Sequence, residues 1–215
     1  MRRLAIIGAG ELGHQILNLS LKNPDLKVIG FFDDTIEVGT TLMYGYKVLG
    51  TTNDVLSLFK TDSFDCLVIA IGYNHMDVRK NLYELYSQDI PFETLIHNSC
   101  IIDASAKIGN GVILYPGCII DKNVVLGNNV LLNLKVVIAH DTIIGSHSYI
   151  APSVTLSGFV DVGECNFIGT GSIVKDNLKI CSHNIFGVGS VVVKNMTHSD
   201  VYYGNPAKSK MKDRK

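Results

Sequence analysis

The sequence predicts an α/β plus all-β chain: a small domain with a parallel sheet over residues 1–95, then a parallel β-helix with a C-terminal tail over residues 96–215. Three observations carry that prediction. A Leu, Ile, Val or Phe recurs at every sixth position from Ile96 to Val192, seventeen times without interruption. Gly109, Gly127, Gly145 and Gly163 each follow such a position and lie eighteen residues apart, as do Gly169 and Gly187. The opening residues read as a strand, a glycine turn and the start of a helix.

Residues 2–7 form a short apolar strand, followed by Gly8-Ala9-Gly10-Glu11-Leu12-Gly13 and a helix carrying Ile16, Leu17 and Leu21 on one face. In such a G-x-G-x-x-G turn, Gly8, Gly10 and Gly13 remove side chains that would keep backbone N–H groups and the helix N-terminus away from a phosphate. A second strand, Lys27 to Phe32, ends in Asp33 and Asp34, about twenty residues past the turn, where carboxylates accept from ribose hydroxyls. The third strand, Cys66 to Ile71, ends in Gly72, Tyr73 and Asn74, again at the carboxyl edge where open α/β sheets hold ligands. Helices near 53–60 and 75–87 cover the sheet, and an extended segment from Phe92 leads into the repeat. Three or four strands make a Rossmann-like half-domain. A dinucleotide needs two such halves, so a single nucleotide diphosphate is expected rather than NAD. The alternative is a glycine turn kept only for helix packing.

A period of six fits neither an amphipathic helix nor a half-buried strand. It suits a parallel β-helix in which three short faces make one eighteen-residue coil and each strand sends one large side chain inward. Glycine at the corners is expected to take positive φ. Four residues after the register positions small or β-branched side chains dominate, as at Ala106, Val112, Val124 and Val154, which a narrow interior requires. The register leaves no room for an inserted loop. Any site must therefore lie on a flat face or a corner.

His140 stands two residues past Ile138 at such a corner, with Asp141 beside it, and the position one coil above is Gly158. One coil thus presents an imidazole and the next a bare backbone whose N–H can serve an oxyanion, the arrangement acyl transfer needs. The competing reading is a solvated corner histidine. His147, Cys165 and His183 also lie eighteen apart, but coils about 4.8 Å apart put the two imidazoles about 10 Å from each other, too far to share a metal. They are expected at the surface, and no metal site is predicted. Asn133, Asn166, Asn177 and Asn184 are assigned to turns and corners.

A net charge of −1 excludes a general nucleic-acid binder, although the tail carries Lys208, Lys210, Lys212, Arg214 and Lys215. No apolar run approaches the roughly twenty residues of a membrane span, and no cleavable signal precedes the first strand, so the expected location is cytoplasmic. Five cysteines at irregular spacing fit packing thiols. Cys100 and Cys118, eighteen apart at an inward position, should stack within disulfide reach and are expected to remain two thiols.

The segments I-I-G-A-G-E-L-G at 6–13, F-D-D at 32–34, A-I-G-Y-N at 70–74, V-I-A-H-D at 137–141 and Y-G-N-P-A-K at 203–208 together resemble the bacterial NeuD/PglD-type sugar acyltransferases over nearly the whole chain. That resemblance implies a left-handed winding, a homotrimer, and a place in polysaccharide biosynthesis. It also implies acetyl-CoA lying along the β-helix between subunits and a nucleotide-linked amino sugar held by the N-terminal domain. His140 is then the general base, with Gly158 at the thioester and Gly187 and Gly189 along the CoA arm. Two departures from the family pattern stand out. Glu11 and Leu12 replace the G-H of a G-G-H-G phosphate turn, with His14 displaced, and Tyr149 stands where relatives carry a second histidine. Tyr149 can donate to a ligand but cannot act as an imidazole base.

The expected reaction is direct acetyl transfer to the amine of a nucleotide-linked amino sugar, with Asp141 orienting or stabilising the imidazolium. The rival readings are O-acetylation of a sugar of the sialic acid type, a trimeric nucleotide-binding scaffold without turnover, and NAD-dependent oxidoreduction.

Overall fold

In the computed structural model, which describes residues 1–210, the chain forms two compact units, Met1–Leu95 and Ile96–Lys215. Lys212, Arg214 and Lys215 of the basic tail lie outside the described residues.

The first unit runs β1 (Arg2–Ile7), α1 (Glu11–Ser20), β2 (Leu26–Phe32), β3 (Val48–Gly50), α2 (Val55–Lys60), β4 (Cys66–Ile69) and α3 (Met76–Tyr86). Its sheet is parallel, in the order β3-β2-β1-β4. The central strand β1 buries Leu4, Ala5, Ile6 and Ile7 completely, because helices cover both faces of a parallel sheet. Ala5 and Ile7 join Phe32, Leu67 and Ile69 against Val55 of α2 and Tyr83 and Tyr86 of α3. The chain leaves β1 toward β2 and returns to β1's other side as β4. The carboxyl ends of β1 and β4 therefore flank a switch point, the usual crevice of open α/β sheets. Strand β3 is an edge strand of three residues at the end of an irregular connection, and β4 stops at Ile69, two residues short of the expected end.

The second unit is a left-handed parallel β-helix. Each strand has two residues, and the second is the register residue: Leu126, Ile144, Val162 and Ile180 stack on one face with partners eighteen apart. The three faces form sheets of five, eight and six strands. From Leu114 to Val192 the register residues are fully or almost fully buried, whereas Ile96, where the coil begins, is 44 % exposed. The C-terminal segment adds Val201–Tyr203 in parallel beside Ile185–Phe186, and Lys208–Ser209 then pairs antiparallel to it.

Two expectations about the corners are corrected. The positive φ angles do not fall at Gly109, Gly127, Gly145 or Gly163 but two residues later in each turn, at Gly111, Asn129, His147 and Cys165. Gly109, Gly127, Gly145 and Gly163 are glycine because the coils approach too closely for a side chain. A Cβ on Gly145 would lie 2.4 Å from the carbonyl carbon of Gly163, and one on Gly127 2.6 Å from the nitrogen of Ser146. His147 and Cys165 are also not surface residues: they are 5 % and 3 % exposed, and the Nδ1 of His147 meets the Asn129 amide at 3.1 Å.

The inward position four after the register is apolar in the early coils and mixes apolar and polar residues in the later ones. Ser148, Asn166, Ser172, Asn184 and Ser190 are fully buried there. Their side chains serve corner groups that the strand ladder leaves unpaired. Asn166 takes the N–H of Asn184 on its Oδ1 at 2.9 Å and donates its amide to the Gly163 carbonyl at 2.8 Å. Ser172 likewise accepts from the Ser190 N–H at 3.2 Å and donates to the Gly187 carbonyl at 3.1 Å. Cys100 and Cys118 are both free thiols; Cys118 donates to the Asn133 carbonyl at 3.2 Å, and its neighbour Cys100 together with burial pushes its pKa up. Replacing Asn166 with Leu keeps the volume but strands the Asn184 N–H. The expected loss is about 1–3 kcal/mol, read as a lower thermal midpoint with unchanged far-UV circular dichroism.

Candidate active site and nucleotide crevice

The corner after Ile138 turns through Ala139, His140 and Asp141, with Asp141 at φ +57°. That backbone suits a short polar side chain, and Asp141 aims its carboxylate back along the corner. Its Oδ2 lies 2.9 Å from the Nδ1 of His140. Its Oδ1 accepts from the side-chain amide of Asn123 at 2.9 Å, one coil below at the same corner. Donation from Asn123 first, then from His140, holds the Asp141 carboxyl below the ordinary carboxylate range, so it is an anion at neutral pH. An anion at Nδ1 keeps the proton there, leaving Nε2 as the basic nitrogen.

Gly158 lies directly against this ring. A Cβ at that position would sit 2.6 Å from Cε1 and 2.8 Å from Nε2 of His140, so any side chain there would evict the imidazole. The Gly158 carbonyl accepts from the Asn177 N–H at 3.1 Å, while the Gly158 N–H has no partner among the described residues. The side chain of His140 is 39 % exposed. An imidazole with an anion at Nδ1 and a bare backbone donor beside it is an arrangement that can serve general-base acyl transfer.

Asn123 and Phe159 were missed by the sequence reasoning. Both stand eighteen residues from Asp141, so the coil length that pairs His140 with Gly158 also points to them. Phe159 and the imidazole pack in a T, with ring centroids 5.0 Å apart and an interplanar angle of 85°. Gly187 and Gly189 belong to a different corner. Gly187 donates to the Tyr202 carbonyl at 2.8 Å, and Gly189, at φ +64°, has open space where a Cβ would stand. Tyr149 is buried, accepts from the Asn133 amide at 3.1 Å and packs its ring against Phe167.

In the first unit, a crevice of about 190 Å³ opens at the carboxyl ends of β1, β2 and β4. Gly8, Asp33, Asp34, Thr35, Thr52 and His75 line it, with Ile7, Ile71 and Leu82 at its apolar wall. Gly8 takes φ +102°, and Gly13 packs so closely on it that a Cβ on Gly13 would sit 2.2 Å from the Gly8 carbonyl oxygen. These two glycines make the turn. A Cβ on Gly10 or on Gly72 would meet nothing within 4 Å, so these two leave backbone open rather than avoid a clash. Asp33 accepts from the N–H of Ala9 at 2.8 Å and from Thr35, so it braces the glycine turn as well as facing the crevice. Asp34 is held by the N–H and hydroxyl of Thr52 at 2.7 and 2.9 Å. Asn74 is exposed in the short helical turn Tyr73–His75 that precedes α3.

Residues 3–86 match the family described as the PglD N-terminal domain. Over almost the whole chain, the fold is that of three solved structures. The acetyltransferase domain of PglB from Neisseria gonorrhoeae shares 28 % identity at a TM-score of 0.86, over 97 % of this chain and all of that one. PerB from Caulobacter crescentus shares 28 % identity at 0.87, over 96 % of each chain. WeeI from Acinetobacter baumannii shares 28 % identity at 0.84, over 97 % of this chain and all of the other. The first unit thus matches the PglD N-terminal family, and the whole chain is similar in fold to sugar acetyltransferases of the NeuD/PglD type. No curated protein matches its sequence.

Glu11 opens α1 and is exposed, beside Gly10 at the helix N-cap. His14 points elsewhere: its ring meets Phe31 edge-on, and its buried Nε2 has no partner. Among the described residues no group of His, Cys, Asp and Glu could hold a metal, and no helix is long and apolar enough to cross a membrane.

Gly158→Ala tests the ring–backbone fit. It should lower kcat about a hundredfold or more by displacing His140, while circular dichroism and the oligomeric mass stay those of the wild type. Wild-type turnover in this variant would show that the imidazole does not work from the position described.

Proposed function

We propose that the protein transfers an acetyl group from acetyl-CoA directly to the amine of a nucleotide-linked amino sugar, with His140 as general base. The observation that carries the proposal is the His140 imidazole itself, held through Nδ1 by an ionised Asp141, resting on the bare Gly158 and leaving Nε2 free. Two relatives support the substrate classes: the Neisseria domain was solved in complex with acetyl coenzyme A, and the Caulobacter protein with CoA and GDP-perosamine.

In the proposed step the amine nitrogen attacks the thioester carbonyl and a C–N bond forms. Nε2 takes the proton that the nitrogen sheds, and the Gly158 N–H donates to the developing oxyanion. The C–S bond then breaks, and the imidazolium returns its proton to the departing CoA sulfur. Asp141 stabilises the imidazolium in between. No covalent enzyme intermediate is required.

Gly187 and Gly189 are assigned to the CoA arm, and Tyr149 to hydrogen bonding with a ligand. The nucleotide is assigned to the crevice of residues 1–95, with Gly8, Gly10 and Gly13 at the phosphates, Asp33 and Asp34 at the ribose, and Gly72 and Asn74 at the opposite lip. The proposal includes a homotrimer working in the cytoplasm.

His140→Ala and His140→Asn should each lower kcat about a hundredfold or more with a much smaller change in KM for either substrate. The assay follows thiol release with acetyl-CoA and a panel of UDP-, GDP-, CMP- and dTDP-linked amino sugars. Rates within a few-fold of wild type would remove His140 from the base role.

A further inference from the structure

One side chain at the His140 corner fits neither of the reasons that explain the other corners. From Gly111 to Gly189 the corner residues three past the register have φ between +54° and +79°, and all but Phe159 are Gly, Asn, Asp, Ser, His, Lys or Cys. Glycine lacks the Cβ that clashes there, and short polar side chains offset the clash with local hydrogen bonds. Phe159, at φ +58°, is the one hydrocarbon side chain among the described corners. A bulky residue is a genuine outlier in that region. Core burial does not offset the strain either, because Phe159 is 55 % exposed. Strained, exposed and apolar, it is unfavourable for folding on three counts. Residues kept in that condition cluster where a ligand uses them.

Its surroundings say which ligand. The Phe159 N–H donates to the His140 carbonyl at 3.1 Å, and its ring meets the imidazole at 5.0 Å with an interplanar angle of 85°. Aromatic and base are thus fixed to each other through both backbone and ring. With just over half of its surface exposed, the phenyl ring offers apolar area to a ligand beside the imidazole. A pyranose presents an apolar C–H face that an exposed aromatic ring covers, since that contact removes apolar area from water without using the sugar's hydroxyls.

We propose that Phe159 is the acceptor platform: the apolar face of the amino sugar rests on its ring, which sets the amine within reach of His140 and makes Phe159 a specificity-determining residue. The inference rests on the reading of this corner as a sugar acetyltransferase site, and it adds the residue that selects the acceptor over the acetyl donor.

Phe159→Asn and Phe159→Gly separate a functional residue from a structural one, because the two roles predict opposite signs. Both variants relieve the corner, so the thermal midpoint should rise by about 2–4 °C. Both should raise KM for the sugar acceptor about tenfold, with KM for acetyl-CoA unchanged, and Phe159→Tyr should restore the acceptor KM. A lower midpoint with an unchanged acceptor KM would overturn the inference, as would a change in oligomeric mass, which would make Phe159 a subunit-packing residue. An equal loss with both substrates would overturn it too. If the wild-type protein acetylates no amino sugar in the panel, the underlying reading fails first; if it does and the variants keep its acceptor KM, only the platform fails.

Discussion

Everything in the β-helix depends on coils that hydrogen-bond to their neighbours eighteen residues away, with a left-handed backbone turn at nearly every corner. Strand pairs of two residues are too short to hold a fold separately. They hold because each N–H and C=O is repeated in register along the axis, and because the register residues stack into one continuous apolar column. At several corners an inward Asn, Ser or Thr meets an N–H that falls outside that ladder, as Thr142 does for Val160, Ser148 for Asn166, Asn166 for Asn184 and Ser172 for Ser190. Close approach between coils then excludes side chains at Gly109, Gly127, Gly145 and Gly163.

The same constraint builds the His140 corner. Residues eighteen apart are neighbours at a spacing of about 4.8 Å, so four consecutive coils deliver Asn123, Asp141 with His140, Phe159 with Gly158, and Asn177 to one edge. Asn123 fixes the carboxylate, the carboxylate fixes the imidazole, and Gly158 makes room for it. No loop is needed, because the repeat already places chemically different side chains side by side. The backbone of His140 and Asp141 is held by the strands on either side of it, which favours a preorganised donor at Gly158.

The β-helix was legible from the sequence because a period of six over seventeen positions has one structural solution, and the pairing of His140 with Gly158 followed from the coil length. The physical reason for the corner glycines was not legible, since sequence alone cannot separate a steric contact between coils from a demand for positive φ. Buried His147 and Cys165 were misread as surface residues for a similar reason: a corner side chain points outward in a lone coil, and only the full structure shows what surrounds it. Strand β3 escaped notice because Val48-Leu49-Gly50 is too short to show alternation. In the first domain the glycine turn was correctly located, but the division of labour within it was not. Gly8 and Gly13 are required by packing and backbone, Gly10 by neither, and Asp33 spends part of its hydrogen-bonding capacity on bracing the turn.

The central claim is that Asp141 holds the His140 proton on Nδ1 and leaves Nε2 as the base. Nitrogen-15 NMR of the labelled imidazole reads this directly, since protonated and unprotonated ring nitrogens resonate far apart. Above the pH at which the ring loses its charge, the account predicts a protonated Nδ1 and a bare Nε2 in the wild-type protein, and a loss of that preference in Asp141→Asn. A wild-type ring with its proton on Nε2 would contradict it.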